Sequence, residues 1–142
     1  MKCMNTIEPE PVATQTVTRE LRMPTGILGF EQMKDYLLVA NPDEEPFRWL
    51  QVKDNAALAF VVIDPFIVAP DYRPDIPQVD ANLLGLNNPE EAALLNIVTL
   101  HGANRATVNL KGPIVVNRNT GLSKQVVLAN AAEYSVQHPL PM

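Results

Sequence analysis

The side chains in this sequence that could do acid–base, nucleophilic or metal chemistry are few and scattered. His101 and His138 are the only histidines, and Cys3 is the only cysteine. A zinc centre needs three or four converging ligands, and these residues have no such spacing, so no metal site is expected. Cys3 stands in a polar N-terminal stretch with no neighbouring base to activate it as a nucleophile. His101 opens His101-Gly102-Ala103-Asn104-Arg105, a turn composition in which a structural or solvent role outweighs a catalytic one. Glu44-Glu45 and Glu90-Glu91 are adjacent in loop-forming stretches, where successive side chains diverge into solvent. No nucleophile elbow, phosphate loop or dinucleotide fingerprint is present, and Gly26-Ile27-Leu28-Gly29 has neither the spacing nor the lysine of one. The sequence reads as a non-enzymatic chain without cofactors.

Binding is better represented. Trp49 and Phe47 share a strand face and could stack on sugars or bases, or pack in the core. A ligand- or carbohydrate-binding module is therefore an alternative reading. The proline-rich stretch 65–77 carries Phe66, Pro70, Asp71 and Tyr72. A stiff aromatic loop of this kind could dock a partner at little entropic cost, or could cover an open barrel end. Asn109, Asn117 and Gln125 are expected to point outward from a hairpin, where they could meet a partner or satisfy strand ends. The net charge of −5 disfavours direct nucleic-acid binding and favours a basic protein partner.

The elements that must position these residues follow from periodicity and punctuation. A chain of 142 residues with 46% apolar and 19% charged side chains fits one globular domain with an ordinary core. Thirteen prolines against six glycines cut it into pieces too short for long helices. Residues 1–12 read as a flexible N-terminal tail, 13–136 as one β domain and 137–142 as a C-terminal tail. Strands are expected over 14–21, 36–40, 47–52, 57–63 and 94–100, with one helical turn at 31–35 and a short helix at 80–84 stopped by Gly85. The stretch 66–77 is expected to be an irregular extended loop.

Over residues 107–117, Val108, Leu110, Gly112, Ile114 and Val116 share one parity. That is the pattern of a half-buried strand, bent or broken at Gly112-Pro113. Residues 117–121 then turn, and 122–128 return as the second arm of a central hairpin against which the rest packs. The sum is an all-β, antiparallel sandwich or pseudobarrel of about eight or more short strands, with one or two helical turns. No apolar run approaches the roughly 20 residues that span a bilayer, and no signal peptide is visible. With no disulfide possible inside the chain, a cytoplasmic location is expected.

The ordered set of motifs resembles a known family. Gly26-Ile27-Leu28-Gly29-Phe30-Glu31 and Pro46-Phe47-Arg48-Trp49-Leu50-Gln51 are similar to the opening of the bacterial flagellar assembly factor FliW. So, in order, are Phe60-Val61-Val62-Ile63-Asp64-Pro65, Pro70-Asp71-Tyr72, Ile97-Val98-Thr99-Leu100, Thr107-Val108-Asn109-Leu110, Pro113-Ile114-Val115-Val116-Asn117 and Gln125-Val126-Val127-Leu128. Leu28 stands where the family often has proline, and Val52 where serine is frequent. The resemblance implies a non-catalytic antiparallel pseudobarrel, expected to be a monomer when unbound. It also implies two cytoplasmic partners, flagellin and the translational regulator CsrA. Bound to CsrA such a factor would relieve repression of flagellin synthesis, and unexported flagellin would withdraw it. The resemblance supplies no contact residues; Phe66, Pro70, Asp71, Tyr72, Asn109, Asn117 and Gln125 are nominated from expected exposure and chemistry.

Overall fold

The structure, a computed structural model, describes residues 15–140. The expected tail at 1–12 and the first residue of the expected opening strand lie outside the described residues. Among the described residues there are nine strands: β1 (Val17–Arg22), β2 (Asp35–Ala40), β3 (Phe47–Val52), β4 (Asn55–Ile63), β5 (Ala92–Leu100), β6 (Ala106–Val108), β7 (Ile114–Asn117), β8 (Ser123–Gln125) and β9 (His138–Leu140). Two short helices, α1 (Pro65–Val68) and α2 (Gln78–Leu83), complete the frame with three 3-10 turns. The expected all-β antiparallel class is what the structure has.

Strands β1 to β4 form an antiparallel meander, with Leu21 opposite Tyr36, Leu38 opposite Leu50 and Trp49 opposite Val61. β4 passes to β5, which pairs along one stretch with β6 and along another with β7. β7 pairs with β8, and the turn between them closes on β1: Arg22 bridges Leu122, and the Arg22 amide donates to the Gly121 carbonyl at 3.0 Å. This closure makes the pseudobarrel. Its interior is one core, built on Leu21, Met23, Tyr36, Leu50, Val62, Leu95, Ile114 and Val116. The second core lies on the other side of β5 and β7, under α1, α2 and the proline-rich segment, and contains Ile63, Tyr72, Ile76, Leu94, Val98, Val108, Leu110, Val115 and Val126.

The organising strand is therefore β5 rather than the 107–128 hairpin. Successive residues Ala92, Ala93, Leu94 and Leu95 alternate between the two cores, so both faces are buried and the strand reads as a continuous apolar run. β7 does the same with Ile114, Val115 and Val116. The single-faced parity read over 107–117 is corrected for the same reason. Val108 and Leu110 belong to one core, and Ile114 and Val116 to the other. The switch occurs in a wide bulge: Val98 faces Val108 and Leu95 faces Ile114, so three steps along β5 match six along the opposing chain.

Other local expectations are adjusted. Residues 31–35 form no helical turn; 31–34 lead as a turn into β2, which begins at Asp35. The stretch 66–77 is not wholly irregular, since Asp64 caps the one-turn helix α1 by accepting from the Phe66 amide at 2.9 Å. The short helix is present as α2, with Gly85 beyond it at φ +70. The expected C-terminal tail begins instead with β9, which pairs antiparallel with β6.

Candidate functional site

The bulge at 109–113 is a junction. The Asn109 amide donates to the Ile97 carbonyl at 3.0 Å, and Asn96 Nδ2 donates to the Asn109 carbonyl at 2.8 Å, which pins the bulge to β5. Asn109 Oδ1 accepts from the amides of Lys111 and Gly112, both at 3.0 Å, an Asx-type turn that holds the bulge open. Leu110 accepts from the Tyr72 hydroxyl at 2.6 Å and donates to the Ser135 carbonyl at 2.9 Å. On the far side, the Val126 amide donates to Pro113 at 2.9 Å. Gln125 then bridges to the first loop: its Oε1 accepts from the Leu28 amide at 2.9 Å and its Nε2 donates to the Gly112 carbonyl at 3.3 Å.

Around this junction lies a groove of about 430 Å³. Its lips come from the loop after β1 (Thr25, Gly26, Leu28, Glu31), the bulge (Asn109, Lys111, Gly112), the β8 region (Lys124, Gln125, Val126, Val127) and the C-terminal segment (Ala131, Val136). Leu28, Val127 and Val136 are 82%, 76% and 54% exposed, unusual for large apolar side chains drawn from three separate segments around one hollow. Gly26 makes the first lip possible. Its φ is +67, and a Cβ there would lie 2.6 Å from the Glu31 Cα. Glu31 accepts from the Gly29 amide at 3.0 Å, and that hydrogen bond holds its carboxyl below the usual carboxylate range. A smaller hollow of about 110 Å³, lined by Pro24, Leu83, Leu84 and Leu122, shares Thr25 and Lys124 with the groove and extends it toward α2.

The nominated residues divide unevenly. Asn109 and Gln125 do line the groove, but their side chains are engaged in building it. Asn117 does not point outward: it is 4% exposed, donates to the Leu84 carbonyl at 2.8 Å and accepts from Asn119 and Thr120 at 2.9 and 3.3 Å. Both faces of β7 are covered, so the outward parity has no solvent to face. Tyr72 is likewise corrected, at 3% exposed. Its ring lies 6.0 Å from Phe66 and 4.8 Å, edge-on, from Tyr134. Burial pushes its phenol well above the ordinary value of 10.0. Phe66 is half-buried against the same core, while Pro70 and Asp71 remain exposed on the loop. This cluster lies behind the groove and meets it through the Tyr72–Leu110 bond, through the Tyr134 amide on the Ala131 carbonyl and through Val126, which shares its core.

The residues missed were Leu28, Lys111, Lys124, Val127 and Val136. Leu28 between two turn-forming residues, and Val127 at the solvent position beside Val126, carry the only sequence signal: large apolar side chains where polar ones would be ordinary. Trp49 is half-buried in mid-strand, and its indole N–H donates to the Glu44 carboxylate at 3.2 Å. Among the described residues no group of three or more His, Cys, Asp or Glu side chains could hold a metal. No helix among them is long and apolar enough to cross a membrane.

Fold and site together define a small antiparallel pseudobarrel that carries an apolar-rimmed groove with hydrogen-bonded walls. The family model described as FliW protein matches residues 5–140. The flagellar assembly factor FliW of Leptospira interrogans (strain Fiocruz L1-130) is 36% identical over 128 residues, covering 87% of this chain and 85% of its own. That of Syntrophus aciditrophicus is 42% identical over 110 residues, covering 77% and 70%. A crystal structure of the flagellar assembly factor FliW superposes with a TM-score of 0.76 at 34% identity, covering 84% of each chain. The chain belongs to the FliW family, the flagellar assembly factors.

Proposed function

We propose that this chain is a partner-exchange protein of the cytoplasm that binds flagellin and the translational regulator CsrA and performs no covalent chemistry. Membership of the flagellar assembly factor family over nearly the whole chain carries the reading. Bound to CsrA, the protein keeps it from repressing flagellin synthesis; accumulating flagellin takes the protein away, and synthesis follows export. The physical demand is modest. A coupling of about 1–3 kcal/mol between the two partners changes affinity roughly 5- to 150-fold, and free flagellin then sets the occupancy by mass action. The groove beside the bulge is the surface best suited to one of these partners, because its apolar rim is exposed while the side chains of Asn109 and Gln125 are already engaged within the protein.

The test is a titration with purified components. The protein should bind flagellin and CsrA separately at micromolar concentration or better, and added flagellin should lower the fraction bound to CsrA. Failure to bind either partner, or a CsrA complex indifferent to flagellin, contradicts the proposal.

A further inference from the structure

The partner-exchange reading leaves open what kind of segment the groove receives. An extended strand gains affinity from backbone hydrogen bonds to an open edge. The groove offers few such bonds. The amides of Leu28, Lys111, Gly112, Val126 and Leu128 are all spent within the protein, on Gln125, Asn109, Pro113 and Lys111. A helix brings its own backbone already paired and needs only an apolar face to bury. Leu28, Val127 and Val136 provide the matching apolar rim.

Charge narrows the occupant further. The whole chain carries −5, yet two of the three charged side chains lining the groove are lysines, Lys111 and Lys124, with Glu31 the third. Lys124 is held by the buried Asp80, which leaves Lys111 as the groove cation without an acidic partner among the described residues. Lys34 stands by the same lip, its Nζ on the carbonyls of Pro24 and Glu31. In an acidic protein, a lysine-bearing apolar hollow selects a partner segment that carries carboxylates.

From these observations we propose that the groove receives an amphipathic helix whose apolar row is flanked by aspartate or glutamate. The proposal rests on the partner-binding reading above and specifies the chemistry of the segment that docks.

The experiment is selection from two displayed peptide libraries, one on a helical scaffold and one of extended, proline-interrupted segments, against the full chain. Counter-selection uses the Leu28→Ser/Val127→Ser double variant, whose exposed positions leave folding intact, as a thermal melt verifies. The expected outcome is enrichment of helices with apolar residues at i, i+3 or i+4 and i+7 beside carboxylates, binding the double variant at least about tenfold more weakly. Lys111→Glu should weaken the same peptides, and exchanging their carboxylates for lysine should restore binding. That rescue is something a merely structural role would not produce. Enrichment of extended or basic segments, of helices indifferent to the double variant, or of nothing, overturns the proposal. Flagellin and CsrA binding measured alongside separates the two claims: if they bind while the selection fails, only the helix assignment falls.

Discussion

Tyr72 gives the sharpest test of the structure, because its expected and observed environments predict opposite behaviour. As an exposed loop contact, Tyr72→Ala would weaken partner binding and leave stability alone. As the 3% exposed anchor seen here, it holds the Leu110 carbonyl at 2.6 Å and packs edge-on against Tyr134 at 4.8 Å. Tyr72→Phe removes only the hydroxyl and strands that carbonyl, at a cost of about 1–3 kcal/mol. Tyr72→Ala also empties the ring's volume, at about 3–5 kcal/mol. For a domain of this length each kcal/mol lowers Tm by roughly 3–4 °C. Urea denaturation followed by the fluorescence of Trp49, the only tryptophan, should show the two midpoints falling in that order with unchanged slopes. Alkaline pH supplies a second reading. Burial raises the Tyr72 phenol above its ordinary 10.0, so its contribution is fully present below pH 10. Above that pH the unfolded chain gives up the proton first, and stability falls by up to about 1.4 kcal/mol per pH unit. Tyr72→Phe should remove that part of the slope. A Tyr72→Ala melt within a degree of the parent would refute the assignment of Tyr72 to the core.

Asn117→Ala removes three hydrogen bonds of a buried side chain, and should lower stability by about 2–3 kcal/mol in the same urea assay, without altering the groove. Gly26→Ala should cost about 2 kcal/mol or more in thermal melts, since a positive φ and a 2.6 Å approach to Glu31 both oppose a Cβ. Hydrogen bonds from Asn41 and then from Trp49 hold the Glu44 carboxyl below its ordinary 4.5. The stabilisation they bring is present above pH 4.5 and is lost as pH falls through the lowered value. Trp49 emission should therefore titrate with a midpoint below 4.5, and Glu44→Gln should abolish the transition.

Much of the fold was readable because its strands are bounded by strong punctuation. Phe47–Val52 matches its expected limits, and Gly85 follows the end of the short helix as its chemistry predicts. Periodicity failed where both faces of a strand are covered. Val108 and Ile114 share a parity in sequence but occupy different cores, because the bulge between them reverses the face. The same double burial turned Asn117 inward. Tyr72 was misplaced because proline-rich composition says that a loop is stiff and says nothing of whether its aromatics face in or out. β9 went unseen because three residues containing Pro139 carry no strand signal of their own; pairing with β6 is what orders them. The groove itself is made by four segments far apart in sequence, so only its apolar rim left a trace.

Hydrogen–deuterium exchange of the protein alone, with flagellin and with CsrA puts the groove to the most direct trial. The account predicts that one of the two partners slows exchange over 24–31, 109–113 and 124–136, the segments that form its lips and floor. Protection by both partners confined to β1 to β4, or to the exposed loop around Pro70 and Asp71, with the groove segments exchanging as before, would contradict it.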